Sequence, residues 1–175
     1  MTTTRRSTAD TRDAGAARLE VTRTLRTDPE AFWHALEEPS WLGEIVPGSE
    51  ERPDLTRVET DLAFSLSDDP RKLTFRKAAF VDIGVTTDAA GRRRGEIGWR
   101  ASTLAPLFPV FAGSITIRDG TIHLRGVYAP PGGGVGLLVD RSFLHHFARR
   151  TGAWFLERLN EHLTSAAIDD RSPAP

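Results

Sequence analysis

Two cationic side chains occupy predicted strands, on the face that should be buried. Arg23 is on the same face as Leu19 and Val21, because these residues occupy every second position of one strand. Lys77 is related to Phe75 in the same way. An unpaired charge is costly to remove from water, so each cation needs a carboxylate, cavity water or the acidic group of a bound molecule. The alternative is that both residues stand at sheet edges, where their long side chains reach solvent.

A long amphipathic segment near the C-terminus supplies a candidate partner. At about 100° per residue, Asp140, Thr151, Arg158 and His162 fall within the apolar stripe of this segment. The spacing therefore predicts that all four face the sheet, with Asp140 as a possible ion-pair partner for Arg23 or Lys77. Asp140 could instead stand in the first helical turn and complement the helix dipole.

A glycine-rich run, Gly132–Gly136, precedes this helix. Free N–H groups at a helix N-terminus attract anions. No Lys-Ser or Lys-Thr pair follows the glycines, however, and no parallel strand–helix–strand unit surrounds them, so the pattern favours a turn or a hinge. We expect no nucleotide site and no cofactor here.

The remaining residues that could carry chemistry lack partners in the sequence. His145 and His146 are adjacent on a helix and diverge by about 100°, and no metal ligand lies four residues from either. The chain has no cysteine and no Gly-x-Ser-x-Gly elbow. We therefore expect no metal, and the catalytic residues, if the protein is an enzyme, are not identified.

Composition limits the classes of protein that this chain can represent. Hydrophobic residues make up 39% and charged residues 27% of its 175 residues, which is typical of one globular domain. The formal charge of −1 and the Gly-flanked turn at Arg92–Arg94 do not favour nucleic-acid binding. We expect a cytoplasmic domain over residues 18–167 with disordered tails at 1–17 and 168–175, no stable membrane insertion and an undetermined oligomeric state.

The order of predicted elements defines the fold class. Alternation predicts a first strand over 18–26, and Thr27–Glu30 supplies a helix N-cap with proline at the first helical position. A second short helix is predicted over Ser40–Val46. Period-two segments then follow at 58–66, 73–85, 97–101, 111–118 and 121–128.

Short connections join these strands. Asp119-Gly120 is typical of a tight hairpin turn, which needs positive φ at both central positions. From Gly136 the period becomes helical, and the predicted helix would span about 40 Å at about 1.5 Å per residue. We therefore predict an α+β fold: a curved antiparallel sheet of six to seven strands wrapped on a long C-terminal helix, with two short helices after the first strand.

This order and three local strings resemble the START-like superfamily, also called SRPBCC, which includes lipid-transfer proteins, plant allergens and polyketide cyclases. The strings are TDPEAFW at Thr27–Trp33, GWRAS at Gly98–Ser102 and YAPPG at Tyr128–Gly132. The resemblance covers most of residues 18–163. It implies a helix-grip fold that holds a hydrophobic ligand between the concave sheet and the long helix.

Small residues on the predicted inner face agree with such a cavity. Ala79, Ala101, Gly113 and Gly126 stand where a filled core would ordinarily have larger side chains, which predicts free space. The alternative is that the two glycines mark bulges or bends that curl the sheet.

The sequence thus predicts a binder, and possible carrier, of a small hydrophobic molecule such as a lipid, a polyketide or an isoprenoid. The predicted ligand-binding residues are Arg23, Phe75, Lys77, Trp99, Phe111, Tyr128, Asp140, Phe147, Thr151 and Phe155. One alternative is a polyketide cyclase or dehydratase, which needs a shaped pocket with a few polar groups. Another is an interaction module whose pocket is filled by its own side chains.

Overall fold

The computed structural model describes residues 17–48, 50, 52–65, 74–102, 110–129 and 141–169. Within these ranges it describes the backbone alone at 17, 63–65, 74–77, 141–145, 147 and 167–169.

The first helix begins where the sequence predicts. Strand β1 covers Ala17–Thr24, and helix α1 covers Pro29–Glu37. The Asp28 side chain caps α1 by accepting a hydrogen bond of 3.1 Å from the backbone N–H of Glu30. This bond satisfies one of the free N–H groups of the first turn, and Pro29 has no N–H to satisfy.

The segment after α1 is not the second helix that the sequence predicts. It forms a single 3₁₀ turn at Pro39–Trp41 and a short strand, β2, at Glu44–Val46. Gly43 stands between the two. The position requires glycine, because a side chain there would collide with the backbone carbonyl of Glu59 on the next strand. Pairing of β2 with that strand therefore replaces the helical bonds that Ser40–Val46 could have formed.

The strands form one antiparallel, seven-stranded sheet in the order β1-β7-β6-β5-β4-β3-β2. The remaining strands are β3 Thr56–Ser65, β4 Thr74–Thr87, β5 Arg93–Ala101, β6 Val110–Arg118 and β7 Thr121–Ala129. This meander confirms the predicted sheet. The β6–β7 turn also has the predicted geometry, with φ of 49° at Asp119 and 68° at Gly120.

The C-terminal helix α2 covers Arg141–Asp169, 29 residues, and so extends two residues into the segment predicted to be a tail. Its buried side chains recur every three or four residues, as the apolar stripe predicts. They are Ala148, Thr151, Phe155, Leu156, Leu159 and Leu163.

Two of the polar residues predicted on this stripe differ in their environment. His162 is partly buried, whereas Arg158 is exposed and pairs with Glu161, one turn further along the same helix, at 3.6 Å. The hydrophobic core forms where α2 and α1 pack on one face of the sheet. This arrangement is the predicted α+β helix-grip fold. None of the helices in the described ranges combines the length and hydropathy that a membrane span requires.

Candidate functional site

Three aromatic side chains form a row across neighbouring strands on the inner face of the sheet. Trp99 on β5 is opposite Phe111 on β6, and Phe111 is opposite Tyr128 on β7. The Trp99 and Phe111 rings stack with centroids 4.0 Å apart and an interplanar angle of 18°. All three side chains are at most 3% exposed. We call Trp99, Phe111 and Tyr128 the aromatic row.

The Phe111 ring occupies the space that two of the small residues were expected to leave open. Gly113 and Gly126 are directly opposite each other in the sheet. A methyl group added to either glycine would lie 2.6 Å from Cζ of Phe111. The predicted free space at these two positions is therefore filled by the protein itself, and the glycines permit close approach of an aromatic ring.

The two small alanines lie beside the aromatic row. Ala79 on β4 pairs with Ala101 at the end of β5, two residues beyond Trp99. Ala79 is fully buried and Ala101 is partly exposed. The inner face therefore has two methyl groups next to the Trp99 indole, at the end of the sheet where β5 ends and β6 begins.

The middle of α2 packs directly on the sheet. A methyl group at Gly152 would lie 3.2 Å from side-chain atoms of both Leu124 and Val21. Thr151 and Phe155, two of the predicted lining residues, are each 1% exposed in this contact region. These positions belong to a close-packed junction between helix and sheet.

Trp41 extends this junction toward the 3₁₀ turn. Its ring centroid lies 6.0 Å from that of Phe155 and 5.5 Å from that of His162, on which it stacks at 12°. Its indole N–H donates a hydrogen bond of 2.7 Å to the carbonyl of Ala35 on α1. Nothing in the sequence marks Trp41 as a site residue, because it lies in the segment where the sequence predicts a second helix.

Arg23 lies at the opposite end of the sheet from the aromatic row. On β1, Arg23 pairs with Ile122 of β7, whereas Ala17 pairs with Tyr128. At about 3.3 Å per strand residue, these positions are roughly 20 Å apart. Arg23 also has a carboxylate partner, because its Nη2 lies 3.3 Å from Oε1 of Glu157 on α2. Arg23 therefore lies apart from the aromatic row and is paired within the protein.

Lys77 lies on β4 opposite Leu62, two residues before Ala79 and therefore toward the same end of the sheet as the aromatic row. Its side chain and those of Phe75 and Phe147 lie outside the described part of the structure, as do Asp140 and the Gly132–Gly136 run. The structure thus brings Trp99, Phe111 and Tyr128 together, adds Thr151 and Phe155 in the packed junction, and separates Arg23 from them.

Tyr128 is the titratable member of the aromatic row. Burial raises the pKa of its phenol above the usual value of 10.0, because the anion would lose its hydration. The hydroxyl therefore stays protonated at neutral pH and keeps its capacity to donate a hydrogen bond.

The outer face of the sheet carries an ion pair that the sequence analysis missed. Arg57 on β3 donates two hydrogen bonds to Asp82 on β4, of 2.7 Å from Nε and 3.1 Å from Nη2. The guanidinium also lies 5.5 Å from the centre of the Phe80 ring. The two charged residues are opposite each other in the β3–β4 register. The ion pair could therefore be predicted only if that register were known.

The histidines contribute no metal centre among the described residues, where no group of three or more potential ligands is found. His146 is exposed on α2, and its Nε2 accepts a hydrogen bond of 2.8 Å from Nε of Arg150, one turn later.

Comparison with known proteins gives structural neighbours only. No protein-family model matches the chain, and no curated protein matches it. Among solved structures, the chain is similar to DynU16, a protein of the dynemicin biosynthetic locus, with 17% identity and a TM-score of 0.46 over 85% of this chain. It spans 48% of DynU16, about half of that chain.

Two further solved structures match along nearly their whole length. Protein MLL2253 from Mesorhizobium loti is 17% identical with a TM-score of 0.42, over 90% of this chain and 100% of the other. Ara h 8.0201 is 16% identical with a TM-score of 0.46, over 86% of this chain and 99% of the other. The class of protein that we assign, an α+β helix-grip domain, rests on the element order and sheet register above.

Proposed function

We propose that this protein binds a small hydrophobic molecule, such as a lipid, a polyketide or an isoprenoid, against the aromatic row. The observation that carries the proposal is the combination of three large aromatic side chains with two neighbouring alanines at one end of the inner face. Aromatic surfaces beside small side chains are typical of apolar ligand sites.

Lys77 is the cation that we assign to this site. It lies on the strand next to Trp99, toward the same end of the sheet, whereas Arg23 is roughly 20 Å from Tyr128 along the strand direction. A carboxylate or other acidic group of the ligand would supply the partner that a cation near an apolar surface needs. The proposed ligand therefore has an apolar body and an acidic or carbonyl end.

The test is a titration with dansylated undecanoic acid, followed by energy transfer from tryptophan to the dansyl group. Wild-type protein should bind one equivalent saturably. Ala101→Leu should weaken binding about tenfold, because the larger side chain projects beside Trp99, and a tenfold loss corresponds to about 1.4 kcal/mol. Ala112→Leu is the matched control, because Ala112 is exposed on the outer face of β6.

A second pair of variants tests the charge. Lys77→Met should weaken binding of the free acid about tenfold and leave binding of its methyl ester unchanged. Arg23→Met should change neither, because this side chain pairs with Glu157 at the other end of the sheet. Absence of saturable binding, or equal effects of Ala101→Leu and Ala112→Leu, would contradict the proposed site.

One observation favours a second candidate, an interaction module with a filled interior. The Phe111 ring fills the hollow at Gly113 and Gly126, and the middle of α2 packs tightly on the sheet around Gly152. Native mass spectrometry of the protein purified from its own host separates the two candidates. A bound small molecule supports ligand binding, whereas empty protein that also fails to bind the dansylated acid supports the interaction module.

A further inference from the structure

A basic groove with a volume of about 730 Å³ is lined by residues of the sheet and of α2. Its lining crosses from β5 over β6 and β7 to the edge strand β1 and includes a residue of α2. The polar side chains of this lining are Arg18, Glu20, Arg94, Ser114, Arg125 and Arg149. We call these residues the arginine groove.

The carboxylate of Glu20 neutralises one of the four arginines. Nε and Nη2 of Arg125 donate hydrogen bonds of 2.9 and 2.6 Å to the same oxygen of Glu20, Oε1. Among the described residues, no carboxylate hydrogen-bonds or pairs with Arg18, Arg94 or Arg149. Three guanidinium groups of the groove therefore lack a countercharge from the described chain.

The register explains why these charges meet. Arg125 lies between Glu20 on β1 and Ser114 on β6, and Arg18 is the next residue of β1 that points to the same face as Glu20. Arg94 lies on β5, the neighbour of β6 in the sheet. Residues far apart in the sequence thus form one positive surface, although the whole chain has a formal charge of −1.

Guanidinium groups bind oxyanions through a planar fork of N–H donors, which fits phosphate oxygens two at a time. A single carboxylate would neutralise only one of the three uncompensated arginines. A chain of two or three phosphates carries enough negative charge to neutralise more than one of them. The groove volume is within the range of about 300–1,000 Å³ that is usual for small-molecule sites, so it also has room for an organic group.

We propose that the arginine groove binds the di- or triphosphate group of a small molecule free in solution. Arg18, Arg94 and Arg149 supply the countercharge, Arg125 is held in place by Glu20, and the Ser114 hydroxyl is a further donor. The polar strand side chains of the groove point to the face of the sheet opposite the aromatic row, so they take no part in the hydrophobic site proposed above.

The test is isothermal titration calorimetry with inorganic tripolyphosphate at low ionic strength, using the full chain. Wild-type protein should bind saturably, and the affinity should fall as salt is added, because the arginines are exposed. The double variant Arg18→Gln with Arg94→Gln should bind about tenfold more weakly or worse, since it removes two charge-assisted contacts.

The matched control is Arg26→Gln with Arg118→Gln. It makes the same change in net charge at two exposed arginines outside the groove, and should stay within about twofold of wild type. Arg149→Gln, on the exposed face of α2, gives an independent reading and should weaken binding at least about threefold. Circular dichroism checks that each variant is folded.

Three outcomes would overturn the proposal. The first is no saturable binding of tripolyphosphate. The second is an equal loss of affinity in the two double variants, which would indicate an effect of net charge alone. The third is binding to vesicles of phosphatidic acid and phosphatidylcholine without binding to tripolyphosphate, which would assign the groove to a membrane surface instead.

Discussion

Phe111 shows how a single side chain determines whether the inner face is open or filled. Its ring covers the paired glycines Gly113 and Gly126 and stacks on Trp99. Glycine weakens a strand because it has no side chain to pack. The Phe111 ring supplies packing over both glycines. The same ring forms part of the proposed ligand surface, so stability and binding depend on one residue.

Replacement of Phe111 should therefore be costly. Phe111→Ala should lower the free energy of unfolding by about 3–5 kcal/mol, because it removes a buried ring and exposes the hollow over two glycines. Val110→Ala, next in sequence but 47% exposed, should change it by less than about 0.5 kcal/mol. Urea denaturation measures both, and a loss below about 1 kcal/mol for Phe111→Ala would contradict the packing described here.

His162 makes stability depend on pH. Burial against Trp41 lowers the pKa of its imidazole below the usual 6.5, so the folded state favours the neutral ring. As the pH falls through the pKa of the unfolded state, the unfolded chain binds the proton first, and stability decreases until the folded-state pKa is passed.

The free energy of unfolding should therefore decrease between pH 7.5 and 5.5, and His162→Gln should reduce the size of this decrease. His34→Gln is the control, because that side chain is 69% exposed on α1. Urea titrations at several pH values provide the measurement. An identical pH profile for His162→Gln and wild type would show that other groups control the dependence.

At the scale of elements, the hydrogen-bonded pair of Arg57 and Asp82 joins β3 to β4. The two side chains are only 10% and 22% exposed, so their charges are poorly screened by water. The pair of Arg125 and Glu20 joins β7 to β1 in a similar way, but its side chains are 53% and 56% exposed. The two cross-strand Arg–carboxylate pairs therefore differ in burial, and also in whether the guanidinium contacts two carboxylate oxygens or one.

Asp82→Asn should lower the free energy of unfolding by about 2 kcal/mol or more, because it leaves the charge of the buried Arg57 without its countercharge. Glu20→Gln should cost less than about 1 kcal/mol, because water screens the exposed pair. Thermal and urea unfolding of both variants test the difference. Equal losses would mean that burial does not set the strength of these pairs.

At the scale of the whole molecule, the distance between α2 and the sheet decides how much space the interior has. Gly152 lies at a close approach of α2 to the sheet, where an added methyl would be 3.2 Å from side-chain atoms of Leu124 and Val21. The helix and the sheet therefore meet in the middle of α2, and the proposed ligand surface lies toward the end of the sheet that includes Ala17 and Tyr128.

Two substitutions at Gly152 should have different effects. Gly152→Ala should stay within about 1 kcal/mol of wild type, because the helix propensity of alanine offsets the tight contact. Gly152→Leu should cost about 1–3 kcal/mol, because its side chain must displace the sheet from α2. Ser165→Leu, exposed on the same helix, is the control. Wild-type stability in Gly152→Leu would indicate a looser junction.

Local signals in the sequence were sufficient for most elements and their order, but not for β2, which lies where the sequence predicts a helix over Ser40–Val46. Asp28 and Pro29 start α1, Asp119-Gly120 closes the β6–β7 hairpin, and the apolar stripe of α2 has helical spacing. Each of these depends on residues within one turn or two neighbouring strands. The antiparallel order then follows from short connections, which is why the fold class could be predicted.

The candidate site could be predicted only in part. Trp99, Phe111 and Tyr128 have the expected inward alternation, but Arg23 has the same alternation and lies at the other end of the sheet. Alternation assigns a residue to a face and says nothing about its position along that face. That position is set by strand register, which depends on contacts far apart in the sequence.

The sequence by itself determined the start of α1, the β6–β7 turn, the alternation of the strands and the α+β class, because these follow from local periodicity and turn chemistry. Only the tertiary structure decided that Phe111 fills the hollow over Gly113 and Gly126, and that arginines of three strands and α2 line one groove. The reason is that packing and electrostatic interactions act over short distances. A ring can fill a hollow, and several charges can form one positive surface, only where the folded chain brings those residues close together.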